Sequence, residues 1–241
     1  MKKRTILPPL LVAPLLVTGL TPVAAQAASS QLPSVARWEM NEAAGATTMH
    51  DSSGHGITGK IGSVVKTGVR VQGAVAYRFP YTAPNKTPAD TPRLVTVGSA
   101  AMNPGSRDFS VTIRYRTTHD FGNIMQKGQH GAKGGYWKLE APHGKLTCLF
   151  RGLVNGQLTG KTVNSGVALN DGNWHTVTCL RTATRLTMTI DGTTTRRARG
   201  ATGTISNNVP MTIGGKVNCD QVKVTCDFFS GDIDRIEVAA G

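Results

Sequence analysis

In DFSVTIRYRT (108–117) every second residue is apolar. Phe109, Val111, Ile113 and Tyr115 fall on one face, and Ser110, Thr112, Arg114 and Arg116 on the other. A half-buried strand requires that period of two, and an amphipathic helix cannot satisfy it. The same alternation returns in LTMTIDG, which sets Leu186, Met188 and Ile190 against Thr187 and Thr189 before an Asp-Gly turn. DGNWHTV, VPMTIGG and FSGDIDRIEV supply further strand candidates. β-Branched residues fill these runs, Gly and Asn punctuate them, and helical periodicity is almost absent. The pattern predicts an all-β chain of roughly a dozen strands, enough for one two-sheet antiparallel β-sandwich or jelly roll. No internal repeat interrupts it. YTAPNKTPADTPR, rich in Pro and Thr, reads as a long surface loop rather than a domain boundary, and its NKT at Asn85 is a formal glycosylation sequon.

The N-terminus has a different grammar. MKKR is followed by an apolar run from Ile6 to about Leu20, broken by Pro8, Pro9 and Pro14, and then by AAQA, which ends in a small-x-small pattern at Ala25 and Ala27. This is the layout of a secretory signal peptide over residues 1–27, cleaved after Ala27; the run is too short and too proline-broken for a membrane span. A short tail, 28–33, would precede a single domain over 34–241. The expected product is secreted, with no membrane span. Three of the 27 Lys and Arg residues (Lys2, Lys3 and Arg4) lie in the leader and none of the 14 acidic ones do, so the formal charge of +13 becomes +10. A surface this basic favours anionic partners such as acidic glycans. Nucleic acid is not expected, because no motif interleaves the basic residues with aromatics.

Export also sets the reading of the four cysteines. In an oxidising compartment they form two disulfides, with three pairings open. There is no C-x-x-C, and the six-residue gap in CDQVKVTC suits a Cys219–Cys226 bridge across a loop or short hairpin. Cys148 and Cys179 then pair as a cross-strand staple, which removes Cys179 as a nucleophile.

Five motifs in order carry a resemblance. DGNWHTVTCLRTATRLTMTIDG, VPMTIGG, FFSGDIDRIEV, the opening ARWEMNEAAGATTMHDSSGHGITG and RDFSVTIRYRT together resemble the laminin G-like, concanavalin A-like jelly-roll family. The likeness runs from about Ser34 to Ala239. Met40-Asn41 and Arg114-Tyr115 depart from the family pattern. The resemblance implies a scaffold role for Trp174 and His175, with His175 a packed, hydrogen-bonded core residue. It also implies a structural calcium held by Asp51 and Asp234, with Asn41 third, since calcium takes hard oxygen ligands.

The activity that the resemblance implies is carbohydrate binding without catalysis. Tyr136 and Trp137, next to Lys133, follow a glycine- and lysine-rich loop and are candidates for a sugar-binding rim. Arg196 and Arg197, with Arg199, would sit on a loop and grip sulfate, uronate or phosphate groups. The ligand is then an extracellular polysaccharide or a protein, bound by a monomer. The alternatives are an adhesive protein-interaction domain and a polysaccharide hydrolase of the same fold. The hydrolase would use Asp232, Asp234 or Glu237, with Asp232 and Asp234 on one strand face as paired carboxylates.

Overall fold

The computed structural model describes residues 1, 32–82, 91–217 and 227–241. The leader after Met1 with its cleavage point, the Asn85 sequon and the Cys219–Cys226 bridge lie outside the described residues. Sixteen strands and three short 3-10 turns are present among those described. The first eight strands are β1 (Ser34–Trp38), β2 (Thr48–Met49), β3 (Gly59–Ile61), β4 (Lys66–Val71), β5 (Ala74–Phe79), β6 (Val95–Val97), β7 (Phe109–Arg116) and β8 (Asn123–Lys127). The rest are β9 (Tyr136–Glu140), β10 (Thr147–Val154), β11 (Gln157–Asn164), β12 (His175–Arg181), β13 (Arg185–Ile190), β14 (Thr194–Arg199), β15 (Met211–Ile213) and β16 (Gly231–Ala240). No helix among the described residues is long and apolar enough to cross a membrane.

The strands form two antiparallel sheets of eight. One runs β14-β13-β12-β7-β16-β5-β4, with β1 also paired to β16; the other runs β11-β10-β9-β8-β15-β6-β3-β2. Consecutive hairpins such as β10–β11 are thus joined by pairs distant in sequence, β7–β16 and β8–β15 among them, as a jelly roll requires. Alternation decides the packing. Phe109, Val111, Ile113 and Tyr115 on β7 are all fully buried between the sheets, as are Leu186 and Met188 on β13. Leu32–Gly241 forms one compact unit around a single dominant core.

Aromatic rings fill the middle of that core. Trp137 stacks on Phe150 at 6.1 Å and meets Phe109 at 5.7 Å. Its indole donates to the Met102 carbonyl at 3.0 Å, which removes the penalty of burying the N–H. Beside these rings Cys148 on β10 is bonded to Cys179 on β12, with the Cα atoms 6.0 Å apart. The bridge therefore bolts one sheet to the other, rather than stapling two neighbouring strands. Tight turns close the outer hairpins. Asn155-Gly156 (φ 49° and 78°) joins β10 to β11, and Asp191-Gly192 (φ 49° and 71°) follows β13. Two consecutive left-handed residues are what a turn matched to strand twist demands, and Asn-Gly and Asp-Gly supply them.

Candidate functional site

The structure separates the sequence-derived candidates into buried and open ones. Trp137 is fully buried and Tyr136 nearly so, so neither offers a ring to a ligand. The expectation of a rim there is corrected: alternation puts Trp137 in register with Phe150 of β10, on the core face. Lys133 is exposed. Lys127, at the end of β8, is buried with its ammonium against the Asn207 carbonyl at 2.9 Å and the Val209 carbonyl, and burial lowers its pKa to about 8.

Arg196, Arg197 and Arg199 stand on an edge strand, not on a loop. β14 pairs with β13 in full register, which places Arg185 opposite Arg199 and Thr187 opposite Arg197. Leu186 and Met188 point inward, so Arg185, Arg197 and Arg199 share the outward face. All three are exposed, and their guanidiniums have no hydrogen-bond or ion-pair partner among the described residues. Like charges directly opposite on paired strands are destabilising. Arg196 points to the other face, its guanidinium close to Gly166.

His175 is hydrogen-bonded as expected, but it opens β12 at the rim of its sheet, which corrects the expected place in the core. Nδ1 lies 2.9 Å from Asp191 and Nε2 3.1 Å from Asp171, two exposed carboxylates. Burial pushes the imidazole pKa down, but these two carboxylates outweigh it and hold it above the usual value. Asp171 falls to about 2, chiefly through the Asn173 amide. Trp174 lies under the Arg114 guanidinium, 4.5 Å from ring centroid to Cζ. Cys179, the nucleophile candidate four residues on, is held in the disulfide.

Of the carboxylates expected for hydrolysis, Asp232 and Asp234 are bound to arginines, while Glu237 lies in register with Arg37 of β1 and Thr112 of β7. Asp232 is buried and accepts from Arg78 Nε (2.7 Å) and Nη2 (3.1 Å) and from Arg116 Nη1 (2.9 Å). Asp234 accepts from Arg114. It sits where the β16–β7 register shifts between Ile233 and Arg235, so the regular two-residue spacing that would pair it with Asp232 is broken there. Burial raises the Asp234 pKa against the pull of Arg114.

The calcium trio does not assemble. Asp51 receives the Arg37 amide at 2.9 Å and the Ser53 amide at 2.8 Å on one oxygen. Its other oxygen takes the Ser53 hydroxyl at 2.9 Å and the Ile57 amide at 3.0 Å. Burial raises its pKa, but these four donors outweigh it and the net shift is downward. They occupy the lone pairs a cation would need. Asn41 and Asp234 share an open cleft of 560 Å³ that Asp51 does not line. No group of three His, Cys, Asp or Glu side chains is placed to hold a metal ion among the described residues.

A further hollow, of 220 Å³, escaped the sequence reading. It lies at the end of the first sheet, over the Arg78–Asp232–Arg116 triplet, with Tyr81 stacked on His119 at 4.6 Å as one wall. Its parts come from β5, β7 and β16, and no local signal links them.

A family model described as a laminin G domain matches residues 115–240. No curated protein matches the chain. Among solved structures, domains LG4-5 of the mouse laminin alpha1 chain are 21% identical over 68% of this chain and 40% of that one, with a TM-score of 0.46. The binding domain of botulinum neurotoxin DC, in complex with rat synaptotagmin II, is 12% identical over 86% and 47%, with a TM-score of 0.55. A botulinum neurotoxin type C structure, concerned with cell entry dependent upon two ganglioside molecules, gives 12%, 86%, 47% and 0.57. This chain spans less than half the length of each, and the toxin likeness is one of fold.

Proposed function

The chain belongs to the laminin G domain family, and from that premise we propose that it is an exported, non-catalytic module that binds acidic extracellular polysaccharide. One observation carries the reading. Arg185, Arg197 and Arg199 share the open face of an edge hairpin, with no ion pair to an acid among the described residues. Such crowding is unfavourable in the free protein, and a row of sulfate or carboxylate groups relieves it through bidentate contacts. The toxin domains bind synaptotagmin or gangliosides, which supports a binding role for this scaffold without naming a ligand for this chain. Calcium has no part in the proposed contact.

The test is retention of the mature protein on immobilised dextran sulfate and polygalacturonate, with neutral dextran as control. Retention on the acidic polymers should fall steeply with salt, stay unchanged with a chelator, and release no reducing ends. Equal retention on neutral dextran would overturn the reading. Reducing-end release abolished by Asp234→Asn would establish the hydrolase instead. Mass spectrometry of the secreted protein tests export, with an N-terminus at Ala28 expected.

A protein ligand is the second reading. Leu153, Val154 and Leu158 are each more than a third exposed at the β10–β11 tip. Val154 and Leu158 border an open cleft with Lys161 and Ala201.

A further inference from the structure

We infer that the hollow at the end of the first sheet is a separate site for a single carboxylate-bearing sugar ring. Three features point there. The first is charge. Arg78 and Arg116 flank Asp232, which is 3% exposed, on opposite neighbouring strands. Asp232 holds Arg78 through Nε and Nη2, and Arg116 through Nη1, while Arg116 Nε donates to the Gly172 carbonyl at 2.9 Å. Two guanidiniums against one carboxylate leave one net positive charge. Arg78 Nη1 and Arg116 Nη2 keep no partner among the described residues, so rigidly held donors remain for one anion.

The second feature is the wall. Tyr81 and His119 lie nearly parallel, 8° apart, and Tyr81 is 59% exposed although one face is covered. An exposed flat ring beside fixed polar donors is the arrangement that receives the apolar face of a sugar. Thr118 also lines the hollow, and its hydroxyl, which has no partner among the described residues, can bond a ring hydroxyl. The third is size. At 220 Å³ the space is smaller than the ~300–1,000 Å³ of drug-sized pockets, so it admits one ring and not a chain segment. The edge arginines bind by charge along a polymer; this hollow selects one acidic unit by shape, and it stands whether or not the edge does so.

The test is NMR titration of the 15N-labelled mature protein with glucuronate, with glucose, acetate and inorganic sulfate as controls. Saturable shifts confined to Arg78–Tyr81, Thr117–His119 and Ser230–Asp232 are expected, larger than with any control. Tyr81→Ala and His119→Ala should each weaken binding about tenfold, the scale of one lost ring contact, with an unchanged melting temperature. Arg78→Lys should also weaken it while keeping the charge. No saturable shift, equal binding of acetate or sulfate, or full affinity in Tyr81→Ala overturns the site. The triple variant Arg185→Ala/Arg197→Ala/Arg199→Ala separates the two readings. It should lose polymer retention and keep the glucuronate titration, and loss of both would assign the shifts to the edge.

Discussion

Two pairs of arginines face one another within the same sheet, and the structure treats them in opposite ways. Arg78 and Arg116 approach from β5 and β7, and the buried Asp232 of β16 stands between them. Arg185 and Arg199 are opposed on β13 and β14 with nothing between them. The first pair is fixed in position by its carboxylate and so can present donors at set angles. The second keeps its full charge in water, where side chains move and salt screens them. A half-neutralised, rigid pair favours discrimination, whereas an open one favours capture.

The strongest way to break this contrast is Asp232→Asn. It leaves two guanidiniums together without their counter-charge, and the loss should be about 3 kcal/mol, the low end for a broken buried pair because Arg78 is partly exposed. The denaturant midpoint measures it. A loss no larger than that of a surface substitution would mean that the two pairs are alike. The next effect is on binding. Arg197→Ala with Arg199→Ala should weaken polymer affinity roughly tenfold at low salt, with little difference at high salt. Affinity chromatography across a sodium chloride series reads both.

The Asp171–His175–Asp191 cluster gives a third arrangement, one cation between two acids. Its folded-state pKa is raised, so the stability it contributes is fully present below the unfolded value near 6.5 and is lost as pH rises through the folded value. His175→Gln should therefore lower the melting temperature more at pH 5.5 than at pH 8.5. A gap that widens with pH would contradict the arrangement. The smallest effect should come from Arg185→Glu. Turning the like-charged cross-strand pair into an opposite one should stabilise the fold by about 0.5 kcal/mol while reducing polymer retention. Thermal unfolding and the same column check the two halves.

The sheets were legible wherever one strand face is wet and the other dry. β7 and β13 announce themselves in the sequence because Val111, Ile113, Leu186 and Met188 alternate with Thr, Ser and Arg. The Cys148–Cys179 bridge was legible too, although not that it joins the two sheets. β14 was hidden because TTRRAR is exposed at almost every position, so no apolar face betrays the strand. Trp137 misled for the reverse reason: a glycine-rich loop before an aromatic looks like a rim, and only the register with Phe150 shows that it faces the core. The Arg78–Asp232–Arg116 triplet joins residues 154 and 116 positions apart from their carboxylate. The bulge at Asp234 moves an acid that simple alternation would place beside Asp232.

The charged outer strand also governs how copies of this protein meet. An unpaired edge is an invitation for another chain to extend the sheet, and cations along it are a defence against that. Here β14 guards one sheet with Arg196, Arg197 and Arg199, and Lys161 lies on β11, the outermost strand of the other sheet. A bound polyanion would disarm that guard while gathering many copies along one thread. If the proposed ligand binds there, the arginines that oppose sheet extension would, once neutralised, leave neighbouring edges able to zip together.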